Sequence, residues 1–188
     1  IIFHEAHPGT LCQTETYTIE CQPLNHRIPT FGYALQEHDK PGTFDVARAE
    51  ALGIPTGPIY GRLQRGQPVT LADGRIIYSH EVLGPPKRGR RIGYCLDTRP
   101  CPEAALLARD ADLLLYDSTL APGAELEATE KGHSTSRQAA VLAKEAGVKR
   151  LVLTHISARY TSARDLLTGL EGLHDDFVLA RDLMELFL

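Results

Sequence analysis

The feature that most constrains the fold is an alternation of short strands and helices over residues 91–154. Arg91–Leu96, Leu113–Tyr116 and Arg150–Thr154 are predicted strands, and the last two are of the continuous apolar kind that is buried on both faces. Cys101–Arg109 and Thr135–Ala146 are the predicted helices between them. Strand–helix–strand–helix–strand is typical of parallel pairing, so we predict an α/β fold.

Local signals place the ends of these helices. Pro102 falls in the first turn of its helix, where a missing backbone N–H costs nothing. Thr135 and Gln138 have the spacing of a capping box, and Gly147 is a typical helix stop. The intervening segment Asp117–Ser134 is predicted to be a loop.

The N-terminal part indicates a hairpin. Thr14–Leu24 and Thr30–Gln36 favour strands, and His26 lies near the turn between them. Toward the C-terminus, Ala163–Gly169 and the residues around Asp182 are candidates for further helix.

Residues 41–91 differ from the rest in composition. The segment holds eight Gly and six Pro, and its eight Lys/Arg against four Asp/Glu give it a charge of +4 within a chain of −4. Val69–Tyr78 is a candidate small hairpin turning at Asp73-Gly74, and Asp45–Leu52 a candidate short helix. We expect this segment to bury little apolar surface and to project as an arm.

Composition excludes several classes of protein. With 43% hydrophobic and 23% charged residues the chain is typical of a globular protein, and no apolar run reaches the roughly 18 residues of a membrane span. The first residues lack the pattern of a signal peptide. The four cysteines have no C-x-x-C spacing, so we expect reduced, mostly buried thiols in a cytoplasmic protein.

Polar residues follow the predicted parallel strands. Asp97, Asp117 and His155 stand at carboxyl ends of strands, where α/β sheets place their ligands. His133 precedes a helix N-terminus, and His26 lies at the hairpin turn. Two histidines and an aspartate suit zinc, although each residue alone is more often a surface or satisfied core residue. Spacing alone therefore indicates a metal-assisted α/β hydrolase only weakly.

Longer strings carry a specific resemblance. They are GHSTSRQAAVLAKEAGVKRLVLTHISARY (132–160), PLNHRIPTFGYALQEHDKPG (23–42), GIPTGPIYGRLQRGQPVTLADGRII (53–77), GPPKRGRR (84–91) and YCLDTRP (94–100). In this order they resemble the motifs of the transfer-RNA 3′-processing endonucleases called tRNase Z or RNase Z, of the metallo-β-lactamase superfamily.

The resemblance implies a metallo-β-lactamase-like αββα sandwich, of which residues 1–188 would form one domain, incomplete at its N-terminus, with residues 41–91 as an inserted exosite arm. It implies a zinc-dependent endoribonuclease that removes the 3′ trailer of precursor tRNA, by attack of metal-activated hydroxide after the discriminator base, and leaves a 3′-hydroxyl. Two zinc ions per complete subunit, a homodimer and a cytoplasmic location are further expectations.

The resemblance also implies residue roles. His26, Asp97 and His155 would be metal ligands, with Asp97 bridging the two ions. His133 would donate a proton to the leaving oxygen, and Asp117, in a Tyr-Asp-Ser-Thr variant of the family's H-E-A-T motif, would orient it. The residues expected to contact the RNA are Gly57, Pro58, Arg62, Arg65, Lys87, Arg88, Ser157, Arg159 and Tyr160.

The family's H-x-H-x-D-H metal motif is missing from this sequence. His4 and His7 do not replace it, because their spacing and position are wrong. We therefore expect a C-terminal portion of the enzyme, active only with the missing part. The alternatives are a non-catalytic tRNA-binding module and a broader phosphodiesterase of the same superfamily; an α/β domain with accidental motifs is improbable.

Overall fold

The structure is a computed structural model that describes residues 5–188; His4 lies outside the described residues. The chain divides into two compact units. The first combines the residues up to 37 with residues 90–188, and the second comprises residues 38–89. Each unit is described by itself.

Strands and helices are numbered in chain order. The strands are β1 Gly9–Gln13, β2 Tyr17–Leu24, β3 Thr30–Glu37, β4 Val69–Thr70, β5 Ile76–Ile77, β6 Arg91–Cys95, β7 Leu113–Asp117, β8 Arg150–Thr154 and β9 Phe177–Leu179. The helices are α1 Val46–Ala51, α2 Pro58–Gln64, α3 Pro102–Ala108, α4 Glu125–Lys131, α5 Ser136–Glu145 and α6 Ala163–Leu167, and a short 3₁₀ turn covers Ser79–Glu81.

The first unit is built on one mixed sheet of seven strands in the order β1-β2-β3-β6-β7-β8-β9. Strands β1, β2, β3 and β6 pair antiparallel, and β6, β7, β8 and β9 pair parallel. The predicted α/β fold with parallel pairing is confirmed. Since β6, β7 and β8 are parallel neighbours, their carboxyl ends meet at one edge of the sheet.

Helices α3 and α5 supply the apolar layer over this sheet. Leu107 of α3 and Leu142 of α5 share a core with Leu114 of β7 and Leu151 of β8. The strands contribute alternate residues to this core, as the period of two requires. Gly93 allows helix α3 to approach strand β6 closely, because a Cβ at Gly93 would stand 3.3 Å from the carbonyl oxygen of Leu107.

The capping box of α5 is confirmed, and it carries a stability prediction. The Thr135 hydroxyl accepts a hydrogen bond from the Gln138 backbone, and the Gln138 side chain accepts one from Thr135 N. Thr135→Ala should lower the free energy of unfolding by about 1 kcal/mol, within the usual 0.5–2 kcal/mol. Thr135→Ser keeps the hydroxyl and should recover most of the loss in chemical denaturation; equal losses in both variants would contradict the capping role.

Several sequence-based assignments were wrong. Residues 117–134 are not all loop, because α4 forms within them; it ends at Gly132, whose φ of +85° is the left-handed conformation typical of a helix stop. Strands β1 and β9 were not predicted. Around Asp182 the structure has turns and no helix.

The second unit has its own small core, contrary to the expectation that this segment buries little apolar surface. Helices α1 and α2 and the β4–β5 hairpin pack around a shared cluster. Its buried members are Ala49, Ile54, Leu63, Val69, Leu71, Ile77 and Val82. Short amphipathic elements joined by Gly and Pro are sufficient to enclose these side chains. The high Gly and Pro content of the segment led to the expectation that it buries little apolar surface.

The cysteines are free in this structure. Cys21 and Cys95 are buried, and burial raises the pKa of the Cys95 thiol to about 12, so that it stays neutral. Among residues 5–188, none of the helices has the length and hydropathy that crossing a membrane requires.

Candidate active site

Four side chains converge at the carboxyl edge of the sheet. Asp97 follows β6, Asp117 ends β7, His155 follows β8, and His133 lies between α4 and α5. Each offers one potential ligand atom, and these four atoms all lie within 4.8 Å of one another. The parallel pairing that the sequence predicted brings Asp97, Asp117 and His155 together, and a hydrogen bond to Asp117 adds His133.

Asp117 is the buried centre of this group, with no solvent exposure. Its Oδ1 accepts from Thr119 N (3.0 Å), the Thr119 hydroxyl (2.7 Å) and Ser134 N (3.3 Å). Its Oδ2 accepts from Thr98 N (3.0 Å) and from Nδ1 of His133 (2.8 Å). Because a carboxylate has about four lone-pair positions, these five donors leave no room for a metal, and Asp117 acts as an anchor.

The bond to Asp117 fixes the tautomer of His133. Its Nδ1–H donates to the carboxylate, so Nε2 is the nitrogen left for chemistry. The imidazole is only 14% exposed and stands 5.2 Å, centroid to centroid, from the ring of His155. A buried carboxylate that accepts from Nδ1–H holds the imidazole in one orientation, as proton transfer by a histidine requires.

Asp97 and His155 form the outer part of the site. Both are partly exposed, at 44% and 39%, and His155 Nε2 lies 3.1 Å from Asp97 Oδ1. The Thr119 hydroxyl gives its proton to Asp117, so it accepts from His155 Nδ1–H at 2.8 Å. In the neutral imidazole this bond leaves the lone pair of His155 Nε2 facing the lone pairs of Asp97 Oδ1.

Two acceptors facing each other at this distance fit a shared cation. Zinc binds imidazole nitrogen at about 2.0–2.1 Å and carboxylate oxygen at about 2.0–2.2 Å, which is compatible with both atoms contacting one ion. The donor set also suits zinc. The residues present therefore fit a divalent metal at Asp97 and His155, and not at Asp117.

The backbone at both outer residues is unusual. Asp97 has φ of 53° and His155 has φ of 60°, the left-handed region that non-glycine residues seldom occupy. Such conformations cost free energy and cluster at functional sites. They turn both side chains over the sheet edge toward each other.

His26 reaches the same edge from the β2–β3 turn. Its ring centroid lies 4.9 Å from that of His133, and its Nδ1–H donates to the Gly132 carbonyl at 2.7 Å. This bond leaves the lone pair of His26 Nε2 available, as is usual for a histidine that ligates a metal.

Gly132 positions His26, and this gives a prediction. A Cβ at Gly132 would stand 2.7 Å from His26 Nδ1, and φ there is +85°. Gly132→Ala should therefore cost the roughly 1–2 kcal/mol of left-handed backbone plus about 1–3 kcal/mol of crowding, and shift the His26 ring signals in NMR.

Gly123→Ala is the matched control, because Gly123 has φ of +93° with no atom within 4 Å of a Cβ. It should cost only the backbone term and leave the His26 signals in place. Equal losses in the two variants would mean that Gly132 does not position His26.

The predicted RNA contacts near the site lie on the loop after β8. Ser157 N donates to Thr119 O at 3.1 Å, and Ala121 N donates to the Tyr160 hydroxyl at 3.0 Å. Arg159 is held by Glu127 of α4 through bonds of 2.6 and 3.1 Å. This loop is thus fixed beside the loop that carries Asp117 and Thr119.

The other predicted RNA contacts belong to the second unit. Gly57 has φ of +134° and is the N-cap of α2, and Pro58 occupies its first turn. Arg62 lies in the last turn of α2, and Arg65 is its C-cap. Lys87, which precedes Arg88, pairs through its backbone with Lys40.

Sequence reasoning missed the residues that hold the site in place. Thr119 links Asp117 to His155, Thr98 and Ser134 complete the bonds to Asp117, and Gly132 orients His26. The strings Asp-Ser-Thr and Gly-His-Ser-Thr contain three of them, but nothing in a string shows which hydroxyl faces which imidazole.

Comparison with known proteins decides the family. Residues 3–156, more than half of the chain, match the family described as "Beta-lactamase superfamily domain". The chain belongs to this superfamily. The metallo-β-lactamase-like fold expected from the sequence is thereby confirmed.

Members of the superfamily that resemble this chain include proteins named ribonuclease Z. That of Acaryochloris marina is 44% identical over 186 residues, which cover 96% of this chain and 59% of that protein. That of Myxococcus xanthus is 48% identical over 166 residues, with 88% and 54% coverage. The resemblance to ribonuclease Z inferred from the motif strings is confirmed.

A solved structure agrees. The short form of human tRNase Z superposes with a TM-score of 0.55 at 25% identity, covering 93% of this chain and 44% of that chain. The present chain thus spans little more than half the length of the curated relatives it matches.

Proposed function

We propose that this superfamily domain is part of a zinc-dependent endoribonuclease that removes the 3′ trailer from precursor tRNA after the discriminator base. The observation that carries the proposal is that the residues at the sheet edge fall into two sets with different roles. Asp97 and His155 present acceptors to a shared cation, while His133, backed by buried Asp117, keeps a nitrogen for proton transfer. Relatives at 44–48% identity named ribonuclease Z support the substrate class.

Asp97, His155 and His26 would hold the metal. When bound, zinc lowers the pKa of water toward neutrality and offsets the negative charge of a phosphodiester under attack. We further propose that a complete subunit would hold two zinc ions with Asp97 as a shared ligand. This arrangement needs ligands beyond those three.

The chain's own residues would do the rest of the work. Thr119 holds His155, and the Gly132 carbonyl holds His26, each through Nδ1. His133, oriented by Asp117, would give its Nε2 proton to the departing 3′ oxygen. The products are then a 3′-hydroxyl on the tRNA and a 5′-phosphate on the trailer.

RNA binding would use the second unit as an exosite arm. Arg62 and Arg65 at the end of α2, with Lys87 and Arg88, would contact backbone phosphates. Such contacts recognise the shape of folded RNA and carry little base specificity. Ser157, Arg159 and Tyr160 would contact the RNA near its 3′ end.

We further propose that the complete protein is a homodimer located in the cytoplasm.

The test compares two substrates in the full-length protein. Precursor tRNA and a small chromogenic phosphodiester are assayed with and without a chelator, and the cleaved ends are mapped. We expect metal-dependent cleavage of the precursor after the discriminator base, with far weaker turnover of the small diester. Comparable use of both would favour the broader phosphodiesterase. Salt-sensitive tRNA binding without cleavage would favour the non-catalytic module.

A further inference from the structure

A network of three charges lies beside the candidate site. Glu127 of α4 accepts two bonds from Arg159, at 2.6 and 3.1 Å, and one from Lys131, at 2.7 Å. These hydrogen bonds hold the pKa of Glu127 at about 2, so the carboxylate is ionised at neutral pH. One anion thus holds two cations.

The network adjoins the proposed chemistry on two sides. Lys131 is two residues before His133, and Arg159 is four residues after His155. Arg159 lies on the loop that Ser157 and Tyr160 fasten to residues 119–121. Both cations are thus joined through short chain segments to the residues of the proposed chemistry, and the segment that carries Arg159 is fastened to the site's own loop.

Glu127 occupies the part of Arg159 that would recognise phosphate. Both terminal nitrogens of the guanidinium donate to Glu127, and Nε points to the Ser157 hydroxyl at 3.4 Å. A carboxylate and a phosphate accept the same two-pronged pattern from arginine. The three side chains remain 35–51% exposed, and exposed ion pairs are weak enough for a phosphodiester to displace.

We propose that Glu127 is an internal competitor for a phosphate-binding subsite formed by Arg159 and Lys131. It occupies the two cations in the free protein and yields them to a backbone phosphate of the RNA. This inference rests on the proposed function for its ligand. The inference predicts the direction of the effect of replacing Glu127. If Glu127 competes with phosphate, removing its carboxylate should strengthen phosphate binding. If it only supported Arg159, removing it should weaken that binding.

The experiment measures the affinity of the full-length protein for precursor tRNA by fluorescence anisotropy. Glu127→Gln should lower Kd about two- to fivefold, the range in which exposed ion pairs act. Glu130→Gln is the matched control, since Glu130 is exposed on the same helix and has no ion pair within residues 5–188. It should change Kd far less. With Arg159→Gln and Lys131→Gln already introduced, Glu127→Gln should have almost no effect.

Titration with inorganic phosphate separates this inference from the proposed function. The guanidinium NMR signals of Arg159 should respond to phosphate at lower concentration in Glu127→Gln than in the wild type. If tRNA binding is absent but this response is present, the proposed function fails and the subsite stands. An unchanged or weaker response in Glu127→Gln overturns the subsite, as does equal tightening of tRNA binding by Glu130→Gln.

Discussion

Asp97→Asn is expected to weaken zinc binding by about 100-fold or more and to reduce cleavage by the full-length protein to background. Even residues that only orient metal ligands cost 10–100-fold in metal affinity when replaced, and Asp97 itself faces the shared cation position. The thermal midpoint should change by no more than about 2 °C, because the side chain is 44% exposed and asparagine tolerates its left-handed backbone. Calorimetric titration with zinc measures the first effect without an activity assay.

Asp110→Asn is the matched control. Asp110 shares the left-handed backbone, with φ of 51°, but stands before β7, at the opposite end of that strand from Asp117. We expect unchanged zinc affinity and cleavage. Wild-type zinc affinity in Asp97→Asn would remove Asp97 from the metal site and, with it, the proposed roles of its partners.

Asp117→Ala is expected to have the largest effect on stability, lowering the free energy of unfolding by about 3–5 kcal/mol. It would leave the buried N–H donors of Thr98 and Ser134 and the partly buried N–H of Thr119 without their acceptor, and His133 without its anchor. For a chain of this size the thermal midpoint should fall by roughly 6–20 °C. Thermal and chemical denaturation provide the measurement.

A second substitution separates this structural role from catalysis. Asp117→Asn keeps the shape of the side chain and should cost about 1–3 kcal/mol, because its amide group meets donors in place of acceptors. Folded Asp117→Asn should still bind zinc nearly as tightly as the wild type while cleavage falls, since His133 loses its charged partner. Zinc affinity as low as in Asp97→Asn would show that Asp117 is a ligand and that our separation of roles is wrong.

Three of the four parallel strands, β6, β7 and β8, were predictable because their signals are local. The apolar runs 113–116 and 150–154 have the length of buried strands, and Thr135, Gln138 and Gly147 mark the ends of α5. Helix α4 was missed because Pro122 and Gly123 before it and Gly132 after it favour loop. Its sequence is also short and charged, and it buries only Ala128. Strands β1 and β9 lie on the sheet edges, where pairing with a neighbour decides the structure more than sequence pattern does.

The sequence predicted which residues form the candidate site, but not which of them face a cation and which are buried. Strand ends brought Asp97, Asp117 and His155 together, and motif strings added His26 and His133. Which carboxylate is buried and which faces a cation depends on long-range bonds, such as the one from Thr98 N to Asp117. The core of the second unit was unpredictable for a similar reason, since its apolar residues are scattered over 34 positions, from Ala49 to Val82.

The most direct test of the account is to locate zinc by anomalous diffraction from crystals of the full-length protein grown with the metal. We predict a zinc peak about 2.0–2.2 Å from both Asp97 Oδ1 and His155 Nε2, with the Asp117 carboxylate still bonded to His133 Nδ1 and Thr98 N. Zinc bound to Asp117, or no zinc between Asp97 and His155 at saturating metal, would contradict it.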